Sequence, residues 1–152
     1  PVVTETPVVT ETPVPDGSVS GTVLAGTPVT VRQYKEDDSG AGSMDVNPDG
    51  TFSLSVAPGT YTVMATASGY LSSQASVTVT AGNANPLPTI SLLAGDIDAS
   101  KVIDQFDAMT IGMSYNTAEP AEADLNNDGV INVLDLELLA RNYRQTGPVA
   151  WE

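Results

Sequence analysis

The chain has no cysteine and no histidine among its 152 residues. That excludes thiol nucleophiles, disulfides, imidazole bases and the usual zinc centres together. Basic residues are scarce as well: five Lys and Arg stand against nineteen Asp and Glu, a formal net charge of −14. Nucleic acid and anionic membrane surfaces are therefore not expected partners. No apolar run reaches the roughly 18 residues of a membrane span. There is no G-x-S-x-G, and the carboxylates that could serve as acid and base fall in a pattern better suited to a cation. An enzyme is not expected. The chain opens on Pro1, without a Met-led signal peptide, which reads as part of a longer protein.

What is present falls into three segments. Residues 1–16 repeat "PVVTET" and end "PVPD". Proline every six residues, with Thr and Glu between, has no amphipathic period and predicts an extended linker. Residues 17–93 alternate apolar and polar side chains in short runs: "SVSGTVL", "TPVTVRQY", "GSMDV", "TFSLSV", "YTVMATA", "SQASVTV" and "LPTISLL". Turn signals such as "NPDG" and "PGT" separate them, and "EDDSGAG", residues 36–42, reads as an exposed loop. Seven short strands at this spacing predict an antiparallel sandwich. Aromatics are few and fall mostly at inward positions, which leaves little for a sugar-binding platform.

Residues 94–152 change period. "DAMTIGMSY" and "VLDLELLARNYR" carry apolar residues at helical spacing, Met109, Ile111 and Met113 in one, Leu134, Leu136, Leu138 and Leu139 in the other. "QTGPVAWE" is expected to end the second helix at Gly147 and Pro148. The stretch from Asp96 aligns with that from Asp124, 28 residues on: Asp96 with Asp124, Asp98 with Asn126, Ser100 with Asp128, Asp104 with Asn132, Asp107 with Asp135, Tyr115 with Tyr143. This is an internal repeat.

The spacing suits a hard cation, which takes six to eight oxygens at roughly 2.3–2.6 Å from loop positions 1, 3, 5, 7, 9 and 12. In the second loop these are Asp124, Asn126, Asp128, the Val130 carbonyl, Asn132 and Asp135, with Gly129 at position six, where the backbone turns sharply. In the first loop they are Asp96, Asp98, Ser100, the Val102 carbonyl, Asp104 and Asp107. There Lys101 replaces the glycine and Ser100 an acid, so the first loop is the weaker of two expected calcium sites. Magnesium fits less well, because it dehydrates reluctantly. Ile103 and Ile131, at position eight, are expected to pair with each other and couple the loops. "PLPTISLLAG" and "NTAEPAEA" leave no room for an entering helix before either loop.

Two resemblances follow. "DGTFSL", "PGTYTV" and "ASGY", within residues 17–93, resemble the carboxypeptidase-regulatory-like, transthyretin-like β-sandwich family, whose members are mostly non-catalytic modules. "GDIDASKVIDQFDAMTI" and "ADLNNDGVINVLDLELLARNY" are similar to dockerins, a duplicated calcium loop-helix with Asp at position 12. A sandwich abutting such a module resembles the X-module–dockerin pairs. The expected architecture is thus multidomain: an all-β, seven-stranded, Ig-like or transthyretin-like antiparallel sandwich, then a small all-α calcium module over residues 94–152.

The resemblance implies a secreted or cell-surface bacterial or archaeal protein, monomeric when unbound. A cohesin domain of an extracellular scaffold would be its partner, in a cellulosome-like, polysaccharide-degrading assembly. It places partner choice at positions 10 and 11 and the turns beyond: Gln105, Phe106 and Met113, then Val133, Leu134 and Arg141. Phe106 and Leu134 read equally well as core between the helices. Trp151 reads as a clasp near Leu92 and Leu93 or as an exposed tail. The alternative functions are a calcium-rigidified stalk or adhesion element without a cohesin partner, and a carbohydrate-binding appendage of a secreted enzyme.

Overall fold

The computed structural model describes residues 12–152, so most of the expected linker, residues 1–11, lies outside the described residues. Residues 12–16 lead without regular structure into β1 (Gly17–Leu24). Its buried positions Gly17, Val19 and Val23 follow the two-residue period expected of a half-buried strand. β2 (Val29–Lys35), β3 (Gly40–Asp45), β4 (Thr51–Val56), β5 (Gly59–Ala67) and β7 (Ser73–Val79) complete the long strands. Around them run β6 (Gly69–Tyr70), β8 (Ala84–Pro86) and β9 (Ile90–Ser91), then β10 (Ala94–Asp96) and, near the C-terminus, β11 (Val149–Ala150).

All seven segments expected from alternation are strands. Within residues 17–93 two more, β6 and β8, are too short to alternate. Gly40, Ala41 and Gly42 belong to β3, not to the exposed loop expected over 36–42; Gly42 pairs with Gln33 and Gly40 with Tyr34. Small residues conceal that strand, because they carry no apolar pattern.

One sheet runs β4-β1-β8, with β9 also on β1. The other runs β11-β7-β5-β2-β3. The long strands pair antiparallel. β8 and β9 run parallel to β1, and β11 parallel to β7, so the sandwich is not purely antiparallel. Val19, Val23, Phe52, Leu54 and Val56 from the first sheet share a core with Val31, Tyr61, Val63, Ala65 and Val79 from the second.

The helical part is α1 (Gln105–Met113), a 3-10 turn over Ala121–Ala123, and α2 (Val133–Arg141). Neither loop has an α-helix before it: β10 leads into the first, the 3-10 turn into the second. α2 ends six residues before Gly147. Asn142 caps it, its side-chain amide donating to Ala94 O at 2.9 Å and Leu138 O at 3.2 Å. The positive φ of Arg144, 70°, then turns the chain back, so that its N–H donates to Ile103 O.

The helical part is joined to the sandwich at three places. β10 pairs with β6, and Leu71 N donates to Leu93 O. Backbones meet closely at Gly69 (φ 79°), where a Cβ would lie 2.4 Å from Glu122 O, so only glycine fits. The C-terminus returns through β11, and Trp151 is buried against the sandwich. Its Nε1 donates to Pro88 O at 2.8 Å, and its ring meets Phe52 edge-on at 5.7 Å. Of the two readings of Trp151 the clasp holds, anchored on Phe52 and Pro88.

Trp151→Ala removes a buried aromatic whose loss typically costs about 3–5 kcal/mol. Denaturant unfolding followed by circular dichroism is expected to show a midpoint lowered accordingly; an unchanged midpoint would mean that the clasp does not hold the fold.

Candidate metal centre and exposed helical face

The bonds that close the two loops and cap their helices repeat one another. Asp107 and Asp135, both fully buried, stand at their ends. Asp107 Oδ1 accepts from Ile97 N at 2.8 Å and Asp98 N at 3.1 Å, and Oδ2 from Asp104 N at 2.9 Å. Asp135 Oδ1 accepts from Leu125 N at 2.8 Å and Asn126 N at 3.3 Å, and Oδ2 from Asn132 N at 2.8 Å. The same two carboxylates complete capping boxes: Asp104 caps α1 by accepting from Phe106 N, and Asn132 caps α2 by accepting from Leu134 N, each at 2.8 Å. One side chain thus closes each loop and starts each helix.

The left-handed residues repeat too. Ala99 (φ 56°) matches Asn127 (57°), Lys101 (69°) matches Gly129 (88°), and Asn116 (63°) matches Arg144 (70°). Lys101 therefore adopts the turn for which its partner uses glycine, at the cost of a conformation that residues with a Cβ disfavour. Its N–H donates to Asp96 Oδ2 at 3.2 Å, as Gly129 N donates to Asp124 Oδ2 at 2.7 Å.

Ile103 and Ile131 are fully buried but do not pair with each other as expected. Ile131 N donates to Thr117 O and its carbonyl accepts from Asn116 N, whereas Ile103 N donates to Gln145 O and its carbonyl accepts from Arg144 N. Each loop is bonded to the segment that follows the other repeat's helix. The coupling is an exchange, because positive φ at Asn116 and Arg144 carries those segments across.

The donor set fits a hard cation. Asp96, Asp98 and Asp107 each bring a carboxylate oxygen within 4.8 Å of the others. Asp96 is buried, and its Oδ1 has no hydrogen-bond partner. The set is oxygen-only, as such ions prefer. Burial, foremost, raises the pKa of both Asp96 and Asp107 above the ordinary carboxylate value, and neighbouring carboxylates add to the rise. A raised pKa in the fold means that ionising these groups destabilises the folded state as pH climbs past the ordinary value. A cation among them would offset that repulsion.

In the second loop, Asp124 is buried and accepts from Asp128 N at 3.1 Å; Asn126 Oδ1 accepts from the same N–H at 3.1 Å. Asn126 Nδ2 donates to Asp128 Oδ2 at 3.0 Å, and Asp128 Oδ1 accepts from Val130 N at 3.0 Å. In the first loop, Asp98 Oδ1 accepts from Ser100 N at 3.0 Å. The Val102 carbonyl accepts from Ser100 Oγ at 3.1 Å, and the Val130 carbonyl from Asn132 Nδ2 at 3.2 Å.

The helices bury little. α1 buries Asp107 and Ile111, and α2 buries the equivalent Asp135 and Leu139. The remaining apolar residues of the helical pattern do not form an inner stripe, because each nine-residue helix is covered on one side only. Phe106 (58% exposed), Val133 (58%) and Leu134 (50%) face solvent, so the core reading of Phe106 and Leu134 fails. Met113 is the most open at 83%, and Gln105 is exposed. Arg141 is also exposed and bonds Glu137 at 2.6 Å. Met109, Leu136, Tyr115 and Tyr143 are exposed as well.

Sequence reasoning also missed the role of Tyr70. It reads in sequence as one of the few aromatics expected mostly in the core, where it lies, but its hydroxyl also donates to Leu125 O at 2.5 Å, inside the second loop. Nothing local in the sequence signals a bond spanning 55 residues.

Among curated protein sequences none matches the chain. Solved structures do. A chain from an N-terminal interface mutant of a type II cohesin–X-dockerin complex of Acetivibrio cellulolyticus is 26% identical, with a TM-score of 0.68 over 86% of this chain and 97% of that one. A C-terminal interface mutant of the same kind of complex gives 27% identity and a TM-score of 0.67 over the same shares. The carboxypeptidase regulatory-like domain model matches residues 14–93, just over half of the chain, and the dockerin type I domain model matches residues 94–143. The chain therefore belongs to the carboxypeptidase regulatory-like domain family, and that domain is followed by a dockerin type I domain.

Proposed function

We propose that this chain is a non-catalytic module that docks its parent protein onto a cohesin domain in a calcium-dependent way. The exposed apolar face carried by the two loop-capped helices supports this most directly. Phe106, Met113, Val133 and Leu134 lie open to solvent on helices whose first turns are fixed by loop carboxylates. Large contiguous apolar patches on soluble proteins mark interaction sites. The solved relatives are described as cohesin–X-dockerin complexes, which points to the same class of partner.

Dockerin type I domains bind calcium, and the aspartate cluster of the first loop has the donors for it. In this reading each loop holds one ion: Asp96, Asp98, Ser100, Val102 O, Asp104 and Asp107 in the first, Asp124, Asn126, Asp128, Val130 O, Asn132 and Asp135 in the second. Bound calcium supplies charge that neutralises the crowded carboxylates. Asp107 and Asp135 then hold loop and helix together without mutual repulsion, and the helix starts present positions 10 and 11. Gln105 and Phe106 lie on one helix, Val133 and Leu134 on the other. Arg141 lies about two turns beyond, beside Glu137.

The same reading places the module outside the cell, in a cellulosome-type assembly, and monomeric until bound. Among the described residues no helix is long and apolar enough to cross a membrane.

Titration calorimetry of chelator-treated protein with calcium is expected to show two sites, the first-loop site the weaker; no heat at millimolar calcium would contradict the proposal. Calcium-loaded protein is expected to bind members of a panel of type I and type II cohesins. Val133→Asp is expected to weaken that binding by about 30-fold or more if the residue is a central contact. Binding of no cohesin, or binding that chelator leaves unchanged, would contradict it.

A further inference from the structure

The two loops match in backbone turns, capping and the bonds to the carboxylate that closes each, yet among the described residues the sandwich hydrogen-bonds only one of them through a side chain. Tyr70, on β6, is buried, and its hydroxyl is used twice: it accepts from Gly26 N at 2.9 Å and donates to Leu125 O at 2.5 Å. Leu125 lies between Asp124 and Asn126, and its own N–H donates to Asp135 Oδ1 at 2.8 Å. A continuous line of bonds thus runs from the Gly26 N–H, through the phenol, across the Leu125–Asn126 peptide, whose N–H donates to Asp135 Oδ1 at 3.3 Å, to the carboxylate that closes the second loop.

The approach is built for contact. A Cβ at Gly26 would lie 2.4 Å from Leu125 O and 3.3 Å from Asn126 Cα, and one at Gly69 would lie 2.4 Å from Glu122 O. The residue equivalent to Leu125 in the first loop is Ile97. Its N–H is bonded to Asp107 Oδ1 at 2.8 Å, but among the described residues nothing donates to its carbonyl.

We infer that Tyr70 is a positioning residue for the second cation loop. By fixing the Leu125–Asn126 peptide it pre-orders Asp124, Asn126 and Asp135, and so raises the affinity of the second site beyond the difference that Ser100 and Lys101 already make between the loops. Ordering that is already in place in the metal-free fold does not have to be supplied on binding. The inference rests on the calcium reading above.

The test is a calcium titration followed by NMR on the backbone amides of Lys101 and Gly129, which report the two loops within one molecule. Tyr70→Phe keeps the ring and removes the hydroxyl. It is expected to raise the calcium needed for half-saturation at Gly129 by about tenfold, the scale of one buried hydrogen bond, and to leave Lys101 unchanged. A merely structural loss would weaken both sites together, and that outcome, like no change at Gly129, overturns the inference while leaving the calcium reading intact. No calcium-dependent shift at either amide of the unaltered protein overturns both.

A second measurement needs no variant. In the metal-free protein, the Leu125 amide is expected to exchange with solvent more slowly than the Ile97 amide. Equal or faster exchange at Leu125 contradicts the inference.

Discussion

Two buried carboxylates organise the C-terminal half of this molecule. Asp107 and Asp135 each gather three N–H groups from their own loop. Each also sits at the third position of a helix, where a negative charge favours the helix start. Loop closure and helix initiation are therefore one event. This explains how helices of nine residues, too short to be stable alone, hold a defined place. The cost is charge: an acid withdrawn from water beside other acids is unfavourable unless protons or a cation compensate it. The duplication repeats this arrangement in both loops.

The second constraint is the contact between halves. A module of some sixty residues has little core of its own. Here Ile97, Ile103, Ile111, Leu125, Ile131 and Leu139 join a cluster that continues into the sandwich through Tyr70, Leu71 and Trp151. The chain enters the helical part through β10 on β6 and leaves it through β11 on β7, so both ends are tied to the sandwich. The helices are then free to leave side chains uncovered, among them those at positions 10 and 11.

Much of this was legible in sequence because it depends on local period. Alternation found the long strands, and the 28-residue repeat found both loops and the turn at Lys101, but not that Asp104 and Asn132 cap the helices. The parts that were not legible depend on contacts distant in sequence. Apolar spacing in α1 and α2 suggested an inward stripe, but periodicity cannot tell a covered helix face from an uncovered one, and Met109, Phe106 and Leu134 proved exposed. Ile103 and Ile131 were expected to pair with each other; instead each is bonded to the left-handed residue that follows the other repeat's helix, Ile103 to Arg144 and Ile131 to Asn116. The glycines of β3 and the two residues of β6 carry no pattern at all. Tyr70 gave no sign of its role, because its partner lies in the other half of the chain.

The central claim is that two cations complete the two loops through Asp107 and Asp135. The most direct measurement is a crystal structure of the calcium-loaded chain with anomalous scattering data. The account predicts one peak in each loop, each within about 2.3–2.6 Å of the position-1 and position-12 carboxylates. The predicted α1 and α2 remain capped as they are here. Peaks elsewhere, or loops without peaks at saturating calcium, would contradict it.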